Sequence, residues 1–254
     1  MKFLPKVLLI HAFAKYCSRF KTANRVDIMI RTIRLAIRND SPHEKLNFLL
    51  EMDRNLYGLE QNAAVEYGKG IHPKHRLINY KQFFTENLNP KENILDIGCG
   101  NGFLSYEVVS KVPEVKVLGI ELDKRNIEYA QKHFVHPNLT FVQGDAIKEL
   151  PDKKFNVIIL SNVLEHIENR VDFLKDIVFK LNPSRLLIRV PLFEREWRTA
   201  LKKELGVDYR LDDTHFIEYT TESYLSELHL ARLKPTKIEY RWGEIWSVVT
   251  PLSE

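Results

Sequence analysis

The 254-residue chain has two cysteines, Cys17 and Cys99, too few for a disulfide framework of the kind that staples small secreted domains. A reducing, cytoplasmic setting is therefore expected. No apolar run reaches the roughly 20 residues that a membrane-spanning helix needs. Internal repeats and low-complexity tracts are missing too, which sets aside solenoids and long disordered linkers. With 44% hydrophobic and 28% charged residues, the composition is that of a globular chain able to bury a full core.

The net charge of +4 is unevenly spread. Residues 1–40 hold nine basic residues, Lys2, Lys6, Lys15, Arg19, Lys21, Arg25, Arg31, Arg34 and Arg38, against Asp27 and Asp40; the remainder carries 29 basic and 32 acidic residues. Any attraction to nucleic acid, anionic lipid or acidic glycan belongs at the N-terminus. The stretch KVLLIHAFAK loosely imitates a secretory leader, but Pro5-Lys6 and His11 interrupt it and an ordinary helix is expected.

From Val26 to Ile37 apolar residues recur at helical spacing, with Arg31, Arg34 and Arg38 opposite them, predicting a basic amphipathic helix. Ser41, Pro42 and Glu44 form a capping-box start for the next helix, with Gly58 as its expected stop. A loop, VEYGKGIHPKHR, then leads into a short helix in RLINYKQFFTENL. Residues 1–90 are read as a helical N-terminal extension or cap.

From Glu92 strands and helices alternate: NILDIG, VKVLGIEL, LTFVQGD, FNVIILSN and RLLIRVP as strands, with helices between most of them. Near-continuous apolar strands in that rhythm predict a parallel sheet covered on both faces. After the helix TESYLSELHLARL, the final strands meet at Trp242-Gly243 as a tight antiparallel hairpin. The expected domain is 91–254, with an insert at 191–219 forming a lid over the crevice at the strand ends.

The glycine turn in ILDIGCGNGFLS follows the first strand and opens a helix, an arrangement that holds a nucleotide-like cofactor against backbone N–H groups. A phosphate-gripping loop would need Lys-Ser/Thr after Gly102, where Phe103-Leu104 stand. A nicotinamide or flavin loop prefers G-x-G-x-x-G, and this one is G-x-G-x-G at Gly98, Gly100 and Gly102. Glu121, ending the second strand, suits the ribose of either NAD or an adenosyl cofactor. Asp145, after the third strand, can accept from an adenine amino group, and Asp96 lies just before the glycines.

On ILDIGCGNG, VLGIELD, FVQGDA and FNVIILSNVLEHIEN, in that order and spacing, the chain from about Glu92 to Leu252 resembles the class I S-adenosylmethionine-dependent methyltransferases. LEHIEN is similar to the methyltransferase type 11 group that includes ubiquinone and menaquinone methyltransferases. The resemblance implies an α/β, Rossmann-like, seven-stranded, mostly parallel sheet with an antiparallel C-terminal hairpin, and S-adenosyl-L-methionine as cofactor. It implies that Asp96, Gly98, Cys99, Gly100 and Gly102 form the loop under the methionine part. Cys99 is expected there only as a small side chain in a tight turn. Glu121 with Leu122 matches the ribose position, Asp145 with Ala146 the adenine contact, and Ser161 and Asn162 the reactive-methyl region. Tyr67 matches an aromatic that covers the cofactor.

Methyl transfer from a sulfonium is an in-line displacement that needs alignment and, for a hydroxyl acceptor, removal of a proton. His166 and His215 are the candidate bases. His72, Lys74, His75 and Arg76, joined by Arg189 near the end of the fifth strand, are candidates to grip a phosphate or carboxylate on the acceptor. Some relatives hold a divalent cation with E-x-x-E-H; here Asn162 replaces the first Glu before Glu165 and His166, and structural hydrogen bonding, with no metal, is the expectation.

The function expected from the resemblance is O-methylation of a small-molecule, glycan or lipid-linked acceptor. RNA ribose methylation through the basic N-terminus, or cofactor binding without chemistry, are the alternatives, with an NAD-dependent oxidoreductase further behind. SNVLEH in place of the Asn/Asp-Pro-Pro-aromatic motif argues against a base-amino acceptor but leaves a ribose hydroxyl open, and nucleic acid is not the expected partner. The basic N-terminal helices leave peripheral membrane contact open.

Overall fold

A computed structural model describes residues 6–252; Lys2 and Pro5 of the basic N-terminal segment lie outside the described residues. Three helices come first: α1 (Lys6–Cys17), α2 (Thr22–Ala36) and α3 (Pro42–Tyr67). The predicted capping box starts α3, with the Ser41 N–H donating to Glu44 Oε2 at 2.8 Å and the Glu44 N–H to Ser41 Oγ at 3.3 Å. Gly58 does not stop it. A mid-helix glycine costs only about 1 kcal/mol against alanine, and Leu59 to Ala64 are mostly good helix formers.

The chain forms two compact units, one up to Leu56 and one from Tyr57 onward. In the second, the helix foreseen across 76–88 is broken into α4 (Lys74–Leu77) and α5 (Tyr80–Glu86), because Asn79 takes a left-handed conformation at φ 51°. The alternating elements follow: β1 (Asn93–Ile97), α6 (Phe103–Lys111), β2 (Lys116–Glu121), α7 (Lys124–His133), β3 (Leu139–Gln143), β4 (Val157–Ser161), α8 (Arg170–Leu181), β5 (Arg185–Pro191), α9 (Trp197–Glu204), α10 (Thr221–Leu230), β6 (Leu233–Arg241) and β7 (Glu244–Pro251). Among the described residues no helix is long and apolar enough to cross a membrane.

The seven strands form one sheet in the order β3-β2-β1-β4-β5-β7-β6. The first five run parallel, while β7 is antiparallel to both β5 and β6. Trp242 and Gly243 join β6 to β7 with φ of 54° and 76°, the double left-handed turn that matches the twist of a hairpin. Val157 to Leu160 in β4 are completely buried, as central parallel strands demand. One face packs Leu95, Ile158 and Leu160 against α8 and α10 through Leu174, Ile177 and Leu228. The other packs Ile94, Ile159 and Trp246 against Val108 of α6 and Phe83 and Phe84 of α5, so this part of the segment before residue 90 is sheet core. Each fully buried Leu, Ile or Phe is worth about 1.5–3 kcal/mol.

The chain winds outward from β1 to β3 and then returns to β4. That places a topological switch between β1 and β4, and a crevice at their C-terminal ends. The glycine turn, Glu121 and Ser161 lie at this side of the sheet. A depression of about 540 Å³ among Asn93, Lys116 and Asn138 sits at the opposite strand ends, away from the glycine turn.

Candidate cofactor and acceptor site

The glycine turn is built by local necessity. Gly98, Gly100 and Gly102 all have positive φ, at 67°, 54° and 82°. A Cβ on Gly102 would sit 2.6 Å from Phe141 Cζ and 2.8 Å from Ala130 Cβ, so the turn lies hard against β3 and α7. At Gly100 the same Cβ would meet nothing within 4 Å, which leaves room for a ligand over the backbone.

Glu121, at the end of β2, accepts from the Gly100 N–H at 3.0 Å and the Asp123 N–H at 2.8 Å. Its carboxylate is thereby fixed beside the turn. Leu122 and Ile147, the latter not foreseen, are exposed aliphatic residues just beyond the ends of the neighbouring strands β2 and β3. Asp145 accepts from the Ile147 N–H at 3.1 Å and pairs with Lys148 at 2.9 Å; the hydrogen bond from Lys148 holds its pKa below the usual carboxylate value. Ala146 is buried between them. Open space at Gly100, an oriented acid and apolar residues by a second acid fit an adenosyl cofactor.

Two residues assigned to the cofactor loop do not face the crevice. Asp96 is buried in β1 beneath the loop and accepts from Ser105 Oγ at 2.5 Å, and burial pushes its pKa up to about 7. It ties the strand to α6 from below. The Cys99 thiol is also buried, close to Gly119, and desolvation raises its pKa, the inert small side chain that was expected.

Tyr67, 82% exposed at the end of α3, lines a cavity of about 580 Å³ with His72, His75, Arg76, Lys81 and Phe103. Within it, His72 Nδ1 accepts from the Lys74 N–H at 3.0 Å. Its Nε2 therefore carries the proton, and that atom is buried without a partner. His75 packs edge-on against Tyr80 with ring centroids 4.5 Å apart. Its Nδ1 is likewise unpartnered, and burial, with Arg189 and Lys74 nearby, pulls its pKa down to about 4.

Arg189 corrects the sequence expectation. Instead of reaching an acceptor, it is 3% exposed and forked onto Glu244, with Nε donating to Oε2 at 2.7 Å and Nη2 to Oε1. Its guanidinium also lies 4.7 Å from the Tyr80 ring and 4.9 Å from Trp246. Glu244 stands opposite the end of β5 on the antiparallel neighbour and takes the fork. Tyr80, which no sequence signal marked, links this box to the crevice through a 3.1 Å hydrogen bond with Ser161.

Beyond β4 the chain turns sharply. Asn162 has φ 58°, its N–H donates to the Arg189 carbonyl at 2.8 Å, and its Oδ1 is buried without a partner. A 3₁₀ turn, Leu164–His166, then presents Glu165 and His166. Glu165 is completely buried, neither carboxylate oxygen has a partner, and desolvation pushes its pKa up to about 7 against weak relief from its own N–H. The segment 191–219 brings His215 to it: the two imidazoles meet edge to face at 4.6 Å, and the Phe216 N–H donates to the Glu165 carbonyl at 2.8 Å.

Each histidine is anchored from behind. His215 Nδ1 is 2.8 Å from Glu218 Oε1; a carboxylate accepts, so Nδ1 donates and, in the neutral ring, Nε2 has the lone pair. Glu218 is itself held by Arg195 at 2.7 Å. His166 Nδ1 is 2.8 Å from Thr214 Oγ1, whose hydroxyl donates to Asp212 Oδ1 at 2.6 Å, so here too Nδ1 donates. Burial, with His215 beside it, lowers the His166 pKa and favours the neutral ring. Single ligand atoms of Glu165, His166 and His215 lie within 4.8 Å of one another. Sequence reading had the two histidines but missed their supports in DDTHFIE, whose acids could have been read as orienting partners.

Residues 88–206, which hold the glycine turn and both acids, match a family described as a methyltransferase domain. This is a class I S-adenosylmethionine-dependent methyltransferase domain. The methyltransferase domain is 33% identical over 100 residues to the malonyl-[acyl-carrier protein] O-methyltransferase of Halalkalibacterium halodurans, covering 37% of each chain. It is 29% identical over 120 residues to the ubiquinone biosynthesis O-methyltransferase of Bradyrhizobium diazoefficiens, covering 46% of each. The matches thus span between a third and a half of these relatives. In fold, it is similar to one chain of the complex between the Haloferax volcanii Trm112 methyltransferase activator and a methyltransferase, with a TM-score of 0.60 at 14% identity, covering 75% of this chain and 96% of that one.

Proposed function

We propose that the chain transfers a methyl group from S-adenosylmethionine to an oxygen of a small-molecule, glycan or lipid-linked acceptor. The observation that carries this reading is the pair of back-anchored imidazoles at the crevice, each with a free Nε2 lone pair. A hydroxyl acceptor has a proton to lose, and this arrangement serves its removal. The O-methyltransferases among the relatives support oxygen as the acceptor atom.

The cofactor supplies an electrophilic methyl group on a sulfonium. Glu121 accepts from the ribose hydroxyls, Asp145 takes the adenine amino group, and Leu122 and Ile147 shield the base. His166, kept neutral by burial, accepts the acceptor's proton at Nε2, and the Thr214–Asp212 pair stabilises the resulting imidazolium through Nδ1–H. His72 Nε2–H, His75 and Arg76 hold an anionic group of the acceptor.

Calorimetric titration of S-adenosylmethionine, followed by an acceptor screen starting with glycans and polyprenyl compounds, tests the reading. His166→Ala should lower kcat by about 10²–10⁴ without weakening cofactor binding. Arg76→Ala should raise the acceptor's KM alone. Absence of cofactor binding would sink the proposal.

The unpartnered Glu165 supports a second reading, in which Glu165, His166 and His215 hold a divalent cation at the acceptor oxygen. Two nitrogens and one oxygen suit zinc, manganese, iron or cobalt better than magnesium, which prefers oxygen. Cobalt titration should give a visible absorption spectrum that His215→Ala removes; full activity in excess chelator would end this reading.

A further inference from the structure

We infer that the N-terminal helices α1 and α2 dock the protein on an anionic lipid surface. The inference is independent of the methyl-transfer reading and concerns the unit that ends at Leu56.

Apolar side chains there are spent on solvent. Along α1, Val7, Leu8, Leu9, Ile10, Phe13 and Tyr16 are all exposed, Ile10 by 65%. In α2 no residue is buried, and Val26, Met29, Ile30 and Leu35 are exposed as well. Isolated exposed aliphatics are ordinary, but a run of four around one short helix followed by more on the next is a concentration of apolar area that water disfavours. Cys17 and Leu50 are the buried hydrophobic residues of this unit among the described ones.

Charge says what covers it. Lys15, Arg19, Lys21, Arg25, Arg31, Arg34 and Arg38 are all exposed on the same two helices and the turns that follow each, with Asp27 pairing to Arg31 at 2.8 Å. A second copy of this surface would bring one basic field against another. Nucleic acid would satisfy the basic residues and leave the aliphatic ones in water. An anionic bilayer takes both: lipid phosphates for the guanidinium and ammonium groups, and the headgroup boundary for the leucines, Ile10 and Phe13. The 12 described residues of α1 are roughly 18 Å long against a hydrocarbon core of about 30 Å, which suits a helix lying in the interface.

Flotation of the full chain with vesicles tests this, using phosphatidylcholine alone and phosphatidylcholine mixed with phosphatidylglycerol. The protein should float with the mixed vesicles at least tenfold more than with the neutral ones, and salt should weaken the binding. Arg31→Glu/Arg34→Glu/Arg38→Glu and, separately, Leu8→Ser/Leu9→Ser/Ile10→Ser should each reduce flotation at least tenfold. Both variants should keep the wild-type affinity for S-adenosylmethionine and the wild-type circular dichroism, which separates lost docking from lost folding. Equal flotation with both vesicle types overturns the inference, as does an apolar triple variant that floats like wild type. So would concentration-dependent dimers that the apolar variant abolishes, or tight single-stranded RNA binding without flotation.

Discussion

On the β2 side of the crevice, the Glu121 carboxylate accepts from two backbone N–H groups and Asp145 is paired to Lys148; on the β4 side, Glu165 is sealed from water with both oxygens unpaired. His72, His75 and Asn162 each add a buried atom without a partner, and none belongs to the cofactor acids. The two halves share one sheet and differ in what completes them. Where polar groups are already satisfied, the geometry is preformed and a ligand is read by shape and by exposed lone pairs. Where they are not, each carries a desolvation penalty of about 1–3 kcal/mol that an arriving group can relieve. In the proposed reading, the β2 side is the cofactor half, finished by the chain, and the β4 side the acceptor half, left for a ligand to complete.

The division between the halves is tested most severely at Arg189. Its guanidinium is committed to Glu244, so Arg189→Ala should cost about 3–5 kcal/mol in urea unfolding by stranding a buried carboxylate. A variant of wild-type stability with a raised acceptor KM would instead return Arg189 to the acceptor half. Gly102→Ala comes next, with left-handed strain and overlap with Phe141 and Ala130 together costing about 2–3 kcal/mol in the same assay. An unaffected midpoint would mean the turn is looser than its packing.

Glu121→Ala should lower S-adenosylmethionine affinity by roughly tenfold to a hundredfold in calorimetry, the loss of a charged hydrogen-bond acceptor worth about 1.5–3 kcal/mol. The stability of the apo protein should change far less than in the first two variants. Asp96 adds a contrast in pH dependence. Because its folded pKa lies near 7 and its unfolded one near 4, the folded chain holds a proton that the unfolded chain has lost across that window. Its contribution is fully present below about pH 4, falls as pH rises, and levels off above about 7, with a slope of up to about 1.4 kcal/mol per pH unit. Asp96→Asn, which can keep the Ser105 contact, should flatten that slope in denaturation curves measured from pH 4 to 8; an unchanged slope would assign it to another group.

The cofactor half is legible in the chain because its chemistry is sequential. Three glycines in five positions and acids that follow successive strands are short-range patterns, and the parallel character of the sheet follows from the alternation of strands and helices. The acceptor half assembles across the chain. His166 and Thr214 are 48 residues apart, Arg189 and Glu244 55, and Tyr80 and Ser161 81. Arg189 reads as a free cation until β7 is known to place Glu244 opposite the end of β5. Gly58 failed as a helix stop for the converse reason, since a local signal of about 1 kcal/mol is outweighed by good helix formers on both sides.

The order of residues alone dictated the parallel sheet with its closing hairpin, the capping box at Ser41, the left-handed glycine turn and the two acids that follow the second and third strands. Each is set by backbone geometry or apolar periodicity within a few residues. It took the folded arrangement to place Asp96 beneath the loop, to spend Arg189 on Glu244 between two rings, and to bring Glu165, His166 and His215 together with their lone pairs unspent. Those outcomes depend on which distant groups burial brings together, and desolvation, which sets both their pairing and their pKa values, has no local signature in a chain.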